Sequence, residues 1–411
     1  MRDDIKNIPA GEMSAELRAM ILYENNHAMD TKCPYRDIAR VAEESPVVRW
    51  EMGIGFFKMD DIVAVANHPM LVSTNPETGE PMGMGSHEPL IPLHLDGDIH
   101  RHFRKLLDPI FAPRNMAKLE DGFRALADAE IDKFINDGQV ELYSQYSIPL
   151  PAKMFMQIFG APAEDLAFFT EMKDAILAPY EVDMFERERI ARGFGDQLRV
   201  RLHQLVKERR ADATERDDLI SQFLTFEVDG DRLSDDEIVN VMHLFVIAGL
   251  DTVTSSISCI IGWLAQHPEE RRRVMADPSM IPAVVEELMR LESPVMSSGV
   301  RWATDDFEVN DVPIKKGDMV FMAWAAGNVD PAVFKDPLEA NFEREANRHI
   351  AFAAGRHRCL GSHLARLELR MAVEQFHKRV SDYEVTPGDD VHYKFEGVRR
   401  AEHLPITFTK R

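Results

Sequence analysis

The sequence predicts a mainly α-helical protein with small β-sheets, and three observations support this fold class. Apolar residues recur at helical spacing from about residue 116 to 210, with interruptions at Gly138 and at residues 160–162. A second helical run extends from residue 234 to 267 and stops before Pro268. Shorter segments that alternate like strands lie after residue 300 and near the C-terminus, separated by turn residues such as Gly317. We therefore expect helices to form the body of the protein.

The N-terminal part of the chain combines short elements with a long loop. Residues 47–57 favour a β-hairpin with Gly53 and Gly55 near its turn. Residues 59–67 favour a helix that Pro69 stops. The segment from 71 to 92 is rich in Gly, Pro, Ser, Thr and Met, which is typical of a long loop, and such loops in compact proteins are often functional.

The long run from residue 234 has the signals of a helix with an unusual middle. Ser234 followed by Glu237 is the capping-box pattern that marks a helix N-terminus. An acid and a hydroxyl in a largely apolar stripe are costly to bury without partners. A local opening of the helix fits these residues, because Thr252 can bond a carbonyl one turn back and Gly249 weakens the helix. The stripe at helical spacing is Leu244, Ile247, Ala248, Asp251, Thr252 and Ser255.

Composition and charge argue against several classes of function. The chain has 48 Lys and Arg against 70 Asp and Glu, a net charge of −22, which argues against binding to nucleic acid or to anionic membranes. Three cysteines, Cys33, Cys259 and Cys359, are too few for a disulfide framework, so we expect a reducing, cytoplasmic compartment. The first residues form no apolar signal region and no run of about 18 apolar residues occurs, so we expect no membrane span.

The clearest chemical signal is a cysteine between two glycines, directly after three basic side chains and before a helix-forming run: residues 355–361, Gly-Arg-His-Arg-Cys-Leu-Gly. The cations and the positive end of the helix are expected to favour the thiolate of Cys359. Three interpretations compete: a buried structural cysteine, a phosphate-binding nucleophile, and a metal ligand of the kind that holds haem iron. The nucleophile needs an arginine six residues later, where Ala365 stands, and Arg366 is one residue late.

The pattern Phe352-x-x-Gly355-x-His357-x-Cys359-x-Gly361 resembles the haem-ligand loop of the cytochrome P-450 superfamily. One departure is visible, because the family commonly has glycine where Ala353 follows the phenylalanine. The resemblance covers roughly residue 45 to the end. It implies one domain over residues 1–411, with haem b between the long central helix and the cysteine loop. It also implies that Cys359 is the axial iron ligand and that Phe352 and Gly361 bind the cofactor.

The string Ala248-Gly249-Leu250-Asp251-Thr252 is similar to the oxygen-activation motif of the same family. By that resemblance Thr252 orders a water and donates a hydrogen bond to bound oxygen, and Asp251 relays protons from solvent. These two are the expected catalytic residues. The apolar residues expected to contact the substrate are Leu244, Ile247, Ala248 and Val295.

Basic residues in several segments match positions that hold the haem propionates in the family. His100 and Arg104 are four apart and share a helix face, which by itself is more typical of a solvated basic surface than of a binding site. Arginine suits a carboxylate because its fork bonds both oxygens. The expected propionate contacts are His100, Arg104, Arg301 and His357, with His349 as a further one. Glu287 and Arg290 match a structural Glu-x-x-Arg pair, and Arg344 matches its partner.

The resemblance implies a soluble monooxygenase that inserts one oxygen atom from O2 into a small apolar substrate, for which we expect a terpenoid-like molecule. The chain has no flavin domain and no iron–sulfur cysteine set, so we expect electrons from a separate ferredoxin and its reductase. An acidic partner of this kind would be steered to a local basic patch. The expected docking patch consists of Arg101, Arg104, Lys105, Arg356 and Arg358.

Three other functions remain as alternatives. A peroxygenase would use hydrogen peroxide, but related peroxide users usually lack the acid–alcohol pair present at Asp251 and Thr252. A haem-bound sensor or ligand carrier without turnover would have no use for a proton relay. A haem-free cysteine hydrolase would leave a purified preparation pale.

Overall fold

Helices form the body of the protein and enclose its largest apolar core. The computed structural model describes residues 34–411 except 51–52, 178–181, 183, 213, 215, 226 and 229, so Cys33 lies outside the described residues. The mainly α-helical prediction is confirmed. The described helices, in chain order, are α1 (Pro34–Glu44), α2 (Met59–Asn67), α3 (Gly97–Leu107), α4 (Pro113–Met116), α5 (Glu120–Ile131), α6 (Pro149–Phe159), α7 (Asp165–Leu177), α8 (Met184–Ala211), α9 (Leu219–Thr225), α10 (Asp235–Gln266), α11 (Pro268–Ala276), α12 (Ile281–Glu292), α13 (Trp324–Asn328) and α14 (Ser362–Arg379).

The predicted small β-sheets are also present. A five-stranded sheet has the order β1-β2-β10-β7-β3, a three-stranded sheet has the order β11-β14-β4, and three further strand pairs are β5-β6, β8-β9 and β12-β13. The strands are β1 (Val47–Trp50), β2 (Gly53–Phe56), β3 (Leu71–Val72), β4 (Gln139–Glu141), β5 (Glu227–Val228), β6 (Asp231–Arg232), β7 (Arg301–Ala303), β8 (Phe307–Val309), β9 (Val312–Ile314), β10 (Met319–Met322), β11 (Val380–Val385), β12 (His392–Glu396), β13 (Val398–His403) and β14 (Pro405–Lys410).

The N-terminal hairpin is confirmed, but its glycines serve another purpose than a turn. β1 pairs antiparallel with β2, and β2 pairs parallel with β10 on its other side. Gly53 and Gly55 both lie within β2. A Cβ at Gly53 would stand 2.2 Å from the carbonyl oxygen of Met319, so the close approach of β10 requires glycine there.

Helix α10 is the central element, and its predicted N-terminus is confirmed. The Ser234 hydroxyl accepts from the backbone N–H of Glu237, and the Glu237 carboxylate accepts from the Ser234 N–H at 2.8 Å. By length and composition α10 passes as a membrane-spanning helix, but 72% of its most apolar window is buried inside the protein. That burial is the arrangement expected of a core helix.

The segment after β3 forms a loop that is fastened to two helices. The carboxylate of Glu188 on α8 accepts from the backbone N–H of Gly83 at 3.0 Å. One residue later, the carbonyl of Met84 lies 2.8 Å from Nε2 of His243 on α10. This loop is therefore held against both α8 and α10.

Candidate functional site

Cys359 lies in a tight loop that leads directly into α14. Its backbone N–H donates to the carbonyl of Phe352 at 2.9 Å, which folds the loop back on itself. Gly355 has a φ of +73°, and a Cβ there would stand 2.8 Å from Oδ1 of Asn67. Glycine is therefore required at this position both by backbone conformation and by the close approach of α2.

Protein atoms surround Cys359 on most sides, but its side chain retains accessible surface. This combination is expected of a side chain that lines a cavity. Burial raises the pKa of this thiol above its ordinary value, and the opposing effects of the Gly361 N–H, Arg104 and Arg366 are smaller. The expectation that the nearby cations alone favour the thiolate is therefore wrong for the free side chain. A coordinated metal ion removes the proton from such a thiol outright, so the surroundings suit a metal ligand better than a free nucleophile.

Ala353, the departure from the family pattern, adopts the left-handed backbone conformation with a φ of +58°. An L-residue pays about 1 kcal/mol in this region, which glycine does not. Ala353→Gly is therefore expected to raise the free energy of unfolding by about that amount, measured from the urea midpoint. Ala354→Gly is the control, because Ala354 is extended with a φ of −130° and should gain nothing. A lower midpoint for Ala353→Gly would contradict the strain argument.

A second group of polar side chains converges near the cysteine loop. His100 on α3 is 2% exposed, and neither of its ring nitrogens has a hydrogen-bond partner among the described residues. Its ring centroid lies 4.3 Å from that of His357. Arg301 on β7 is also buried, and within the described chain its guanidinium bonds the carbonyl of its own neighbour Val300 at 3.1 Å. Buried donors without partners are costly, so these residues fit an anionic ligand.

The pKa values of this group reflect the same burial. Burial lowers the pKa of Arg301 to about 10, while Asp96 acts in the opposite direction. Burial, together with His357 and Arg104, lowers the pKa of His100 to about 4. A carboxylate ligand between these side chains would offset that cost, because an opposite charge favours the charged form. A haem propionate is such a carboxylate, so the residues present fit haem.

Two of the expected propionate contacts are engaged within the protein instead. Arg104 donates to the carbonyl of Arg358 at 2.8 Å and pairs with Asp108 at 2.8 Å. His349 uses both ring nitrogens: Nε2 lies 3.0 Å from Glu286, and Nδ1 accepts from the Ala351 N–H. In this structure His349 therefore contacts Glu286 and the start of the cysteine loop, and the propionate contact expected at His349 stays a prediction.

Only some of the α10 residues that were expected to contact the substrate are accessible in the structure. Leu244, Ala248 and Thr252 are partly exposed at a spacing of four residues, so they share one side of the helix. Ile247 is 1% exposed and belongs to the apolar core. Ile247 is therefore rotated away from the accessible side of α10, and its expected contact with substrate stays a prediction. Val295, outside α10, is partly exposed.

The acid and hydroxyl in α10 both have partners. The Thr252 hydroxyl donates to the carbonyl of Ala248 at 3.0 Å, as the sequence predicts. Asp251 is buried, and its carboxylate lies 3.2 Å from Nζ of Lys173 on α7. Lys173 also pairs with Asp174 at 2.5 Å, and the side chain of Asp174 is 63% exposed. A chain of charged groups therefore connects the protein surface with the residue beside Thr252.

The predicted ion-pair network behind the site is confirmed. Glu287 is 1% exposed and accepts from Arg290 at 2.7 and 2.9 Å and from Arg344 at 3.2 Å. It also accepts from the backbone N–H of Asn341 and from the side chain of Asn347. Arg290 in turn donates to the carbonyls of Asn328, Pro337 and Glu339, so the network fixes the segments that precede the cysteine loop.

Sequence reasoning missed three residues of the site. Asp96 accepts from the Ser73 N–H at 2.7 Å and lies 3.1 Å from Nε2 of His357. His94 is 6% exposed, and burial lowers its pKa to about 3. His94 and Asp96 lie within six residues before His100, and this clustering in the sequence could have identified them as site residues. Lys173 is 78 positions from Asp251, and no feature of the sequence indicated that pairing.

Comparison with known proteins gives a consistent result. Residues 154–402 match the family model described as cytochrome P450. The chain is 30% identical over 401 residues to the polyketide biosynthesis cytochrome P450 PksS of Bacillus subtilis, across 92% of this chain and 96% of PksS. The solved structure of PksS has a TM-score of 0.81 at 28% identity, across 92% of this chain and 97% of that chain.

Two further proteins are similar. The chain is 32% identical over 321 residues to the vitamin D(3) 25-hydroxylase of Pseudonocardia autotrophica, across 77% of each chain. The structure of P450BioI in complex with hexadec-9Z-enoic acid ligated acyl carrier protein has a TM-score of 0.83 at 26% identity, across 92% of this chain and 99% of that chain.

Proposed function

Because the chain belongs to the cytochrome P450 family, we propose that Cys359 is the thiolate ligand of its haem b and that the substrate is a small apolar molecule. The family membership makes the protein a haem-containing monooxygenase that uses O2 and a redox partner. The observation that carries the proposal is the accessible Cys359 thiol just before α14, two residues after His357, whose ring lies 4.3 Å from that of the buried His100; the His100 ring nitrogens have no hydrogen-bond partner among the described residues. A purified protein that contains haem and loses its thiolate spectrum on replacement of Cys359 tests this assignment.

The chain contributes binding and orientation to the cofactor. Arg301, His100 and His357 would hold the propionates, and Asp96 orients His357 through its hydrogen bond. Phe352 packs under the guanidinium of Arg366 at 4.2 Å, which keeps the cysteine loop in shape. When bound, haem would supply the redox chemistry, in which two electrons and two protons are consumed with O2 to give one hydroxylated product and one water.

Asp251 and Thr252 manage protons in this proposal. Thr252 holds a proton on Oγ1, which points to the Ala248 carbonyl and can turn toward the accessible side of α10. Asp251 receives protons through Lys173 and Asp174 from solvent. Because Asp251 is buried against Lys173, delivery of protons from solvent depends on this charged chain.

The apolar substrate lies against Leu244, Ala248 and Val295. The substrates of similar proteins are varied, since the names of these proteins mention polyketide biosynthesis and vitamin D(3). We propose a compact, terpenoid-like molecule, because a single stripe with alanine at its centre offers a narrow apolar contact. Titration of the purified protein with a terpenoid, vitamin D3 and palmitate distinguishes these classes by the shift of the haem absorption band.

The electrons are proposed to come from a ferredoxin that docks on the basic patch around α3 and the cysteine loop. Lys105 and Arg358 are exposed, and Arg101 is 69% exposed while paired with Asp98. Reversing Arg101 and Lys105 to glutamate is expected to raise the KM for ferredoxin about tenfold at low salt, and less at high salt. The measurement is NADH-driven turnover with a purified ferredoxin and its reductase.

The control for the docking variant makes the same charge change elsewhere. Lys207 on α8 and Lys410 on β14 are exposed and lie on elements outside the patch. Their double reversal should leave the KM for ferredoxin unchanged, and peroxide-driven turnover should be equal in both variants. Equal loss of ferredoxin turnover in the two variants would contradict a local docking patch.

A peroxygenase is the second candidate, and the acid–hydroxyl pair at Asp251 and Thr252 supports the monooxygenase over it. NADH with ferredoxin should therefore sustain faster turnover than hydrogen peroxide. A ligand carrier without turnover would bind the substrate and form no product in either assay. The similar bacterial proteins support a cytoplasmic location, which fractionation of the source cells tests.

A further inference from the structure

A buried ion pair joins the C-terminal hairpin to the end of α12. Arg399 on β13 is 0% exposed, and its guanidinium donates to the carboxylate of Glu292, which is 3% exposed. Glu292 is the last residue of α12. The guanidinium also stacks over the ring of Tyr393 on β12, 4.1 Å from its centroid. Burial of two opposite charges is costly unless their geometry and further hydrogen bonds compensate. This pair therefore depends on the exact position of both side chains.

The pair also fixes backbone on both sides. The Arg399 N–H donates to the carbonyl of Pro294 at 2.8 Å. Pro294 directly precedes Val295, a proposed substrate contact. Arg399 therefore holds the segment after α12 by a side-chain bond at Glu292 and by a main-chain bond two residues later.

The same hairpin rests on α10 close to the proposed catalytic residues. The Ala401 N–H donates to the hydroxyl of Ser258 at 3.1 Å, and the Cys259 thiol donates to the Arg399 carbonyl at 3.5 Å. Both α10 residues lie about two turns after Thr252. Three segments therefore meet at Arg399: the hairpin, the chain before Val295, and the α10 turn behind Thr252.

The tip of the hairpin lies just beyond this junction. Arg399 pairs with Phe395 across the hairpin, and Gly397 forms the turn with a φ of +76°. Phe395 is 2% exposed and packs in the same apolar cluster as Met296, the residue after Val295. A shift of the hairpin would therefore move the tip and the segment of Val295 together.

We propose that the Arg399–Glu292 pair is a positioning device that sets the shape of the substrate pocket by locking the hairpin tip to the segment of Val295. This inference rests on the proposed function as a haem monooxygenase. Arg399 acts through the segments that it holds and has no direct contact with the reacting atoms. Its loss should loosen the fit of ligands that fill the pocket and leave the binding of very small ligands at the haem unchanged.

The test compares two azole probes of different size in spectral titrations. Imidazole reports only access to the haem, while 1-dodecylimidazole fills the apolar pocket as well. Removing one partner alone would strand a buried charge, so the main variant replaces both, as Arg399→Met with Glu292→Leu. We expect the dissociation constant of 1-dodecylimidazole to rise about tenfold and that of imidazole to stay within about twofold.

Two single variants give a second test beside the double variant. Arg399→Lys retains the charge but loses the guanidinium plane over Tyr393, so it should raise the dissociation constant of 1-dodecylimidazole by about threefold and leave that of imidazole unchanged. Glu292→Gln retains the volume and an acceptor but not the charge, and should weaken 1-dodecylimidazole alone by at least about threefold. An unchanged affinity for 1-dodecylimidazole in Glu292→Gln or in the double variant would overturn the proposal, and so would an equal loss for both probes.

A second buried arginine provides the matched control. Arg271 on α11 is 2% exposed, pairs with Asp382 at 2.9 Å and lies over the ring of Tyr383 at 5.0 Å. Arg271→Met with Asp382→Leu should leave the ratio of the two dissociation constants unchanged. A different result would refute the proposed haem function. In that case imidazole would cause no spectral shift in the unchanged protein.

Discussion

Thr252→Ala is expected to separate electron consumption from product formation. The variant should oxidise NADH at a rate close to that of the unchanged protein, while product formed per NADH falls about tenfold and hydrogen peroxide accumulates. The reason is that the Thr252 hydroxyl is the proton-bearing group on the accessible side of α10, next to the acid that receives protons through Lys173. The measurement is the ratio of product and peroxide to NADH in the ferredoxin-driven assay.

Helix α10 offers a matched control for this variant. Thr254 is two residues later, is 5% exposed, and donates to the carbonyl of Leu250 at 2.9 Å, the same backbone bond that Thr252 makes. Thr254→Ala removes an equal hydroxyl from the buried side of the helix. It should leave the product-to-NADH ratio unchanged, whereas equal uncoupling in both variants would assign the effect to helix geometry rather than to the Thr252 proton.

Glu287→Gln is expected to produce the largest loss of stability of any single substitution considered. The carboxylate lies between Arg290, which is 0% exposed, and Arg344, so its loss leaves two buried cations without their counter-ion. Breaking a buried pair in this way costs about 3–5 kcal/mol. The measurement is urea unfolding, followed by tryptophan fluorescence and by retention of haem absorbance.

The neighbouring residue and the pH dependence sharpen this prediction. Glu286 also pairs with a cation, Arg366, but its side chain is 32% exposed, so Glu286→Gln should cost clearly less. Burial alone would raise the pKa of Glu287. The hydrogen bonds from Arg290 and Arg344 have the larger opposite effect and hold that pKa below its ordinary value of 4.5. Its contribution is therefore present above pH 4.5 and is lost as the pH falls below that value, a loss that Glu287→Gln should not show.

Local sequence patterns predicted the elements whose cause is local. The capping box located the start of α10, Pro268 located its end, and the threonine in its middle was predicted to bond the carbonyl one turn back. The pairing of Arg344 with Glu287 was also predicted, although these residues are 57 positions apart, because the motif that contains each of them resembles a known family. Patterns of spacing and motif were sufficient for these features.

Features that depend on packing were not accessible from the sequence. Ile247 shares the helical stripe with Ala248, and only the rotation of α10 in the core decides which of them remains accessible. The sequence matched His349 to a propionate-binding position and gave no sign that its Nε2 lies 3.0 Å from Glu286. Burial reversed the expected pKa shift of Cys359, since the cost of removing a thiolate from water exceeds the attraction of the nearby arginines.

The bond between Cys359 and the haem iron underlies the whole proposed function, and one spectrum tests that bond directly. The dithionite-reduced protein under carbon monoxide should absorb maximally near about 450 nm, as thiolate-ligated haem does. Cys359→Ser should lose that band, while Cys259→Ser, which changes a fully buried cysteine on α10, should retain it. A protein without the band, or a Cys359→Ser variant with the band intact, would contradict the assignment.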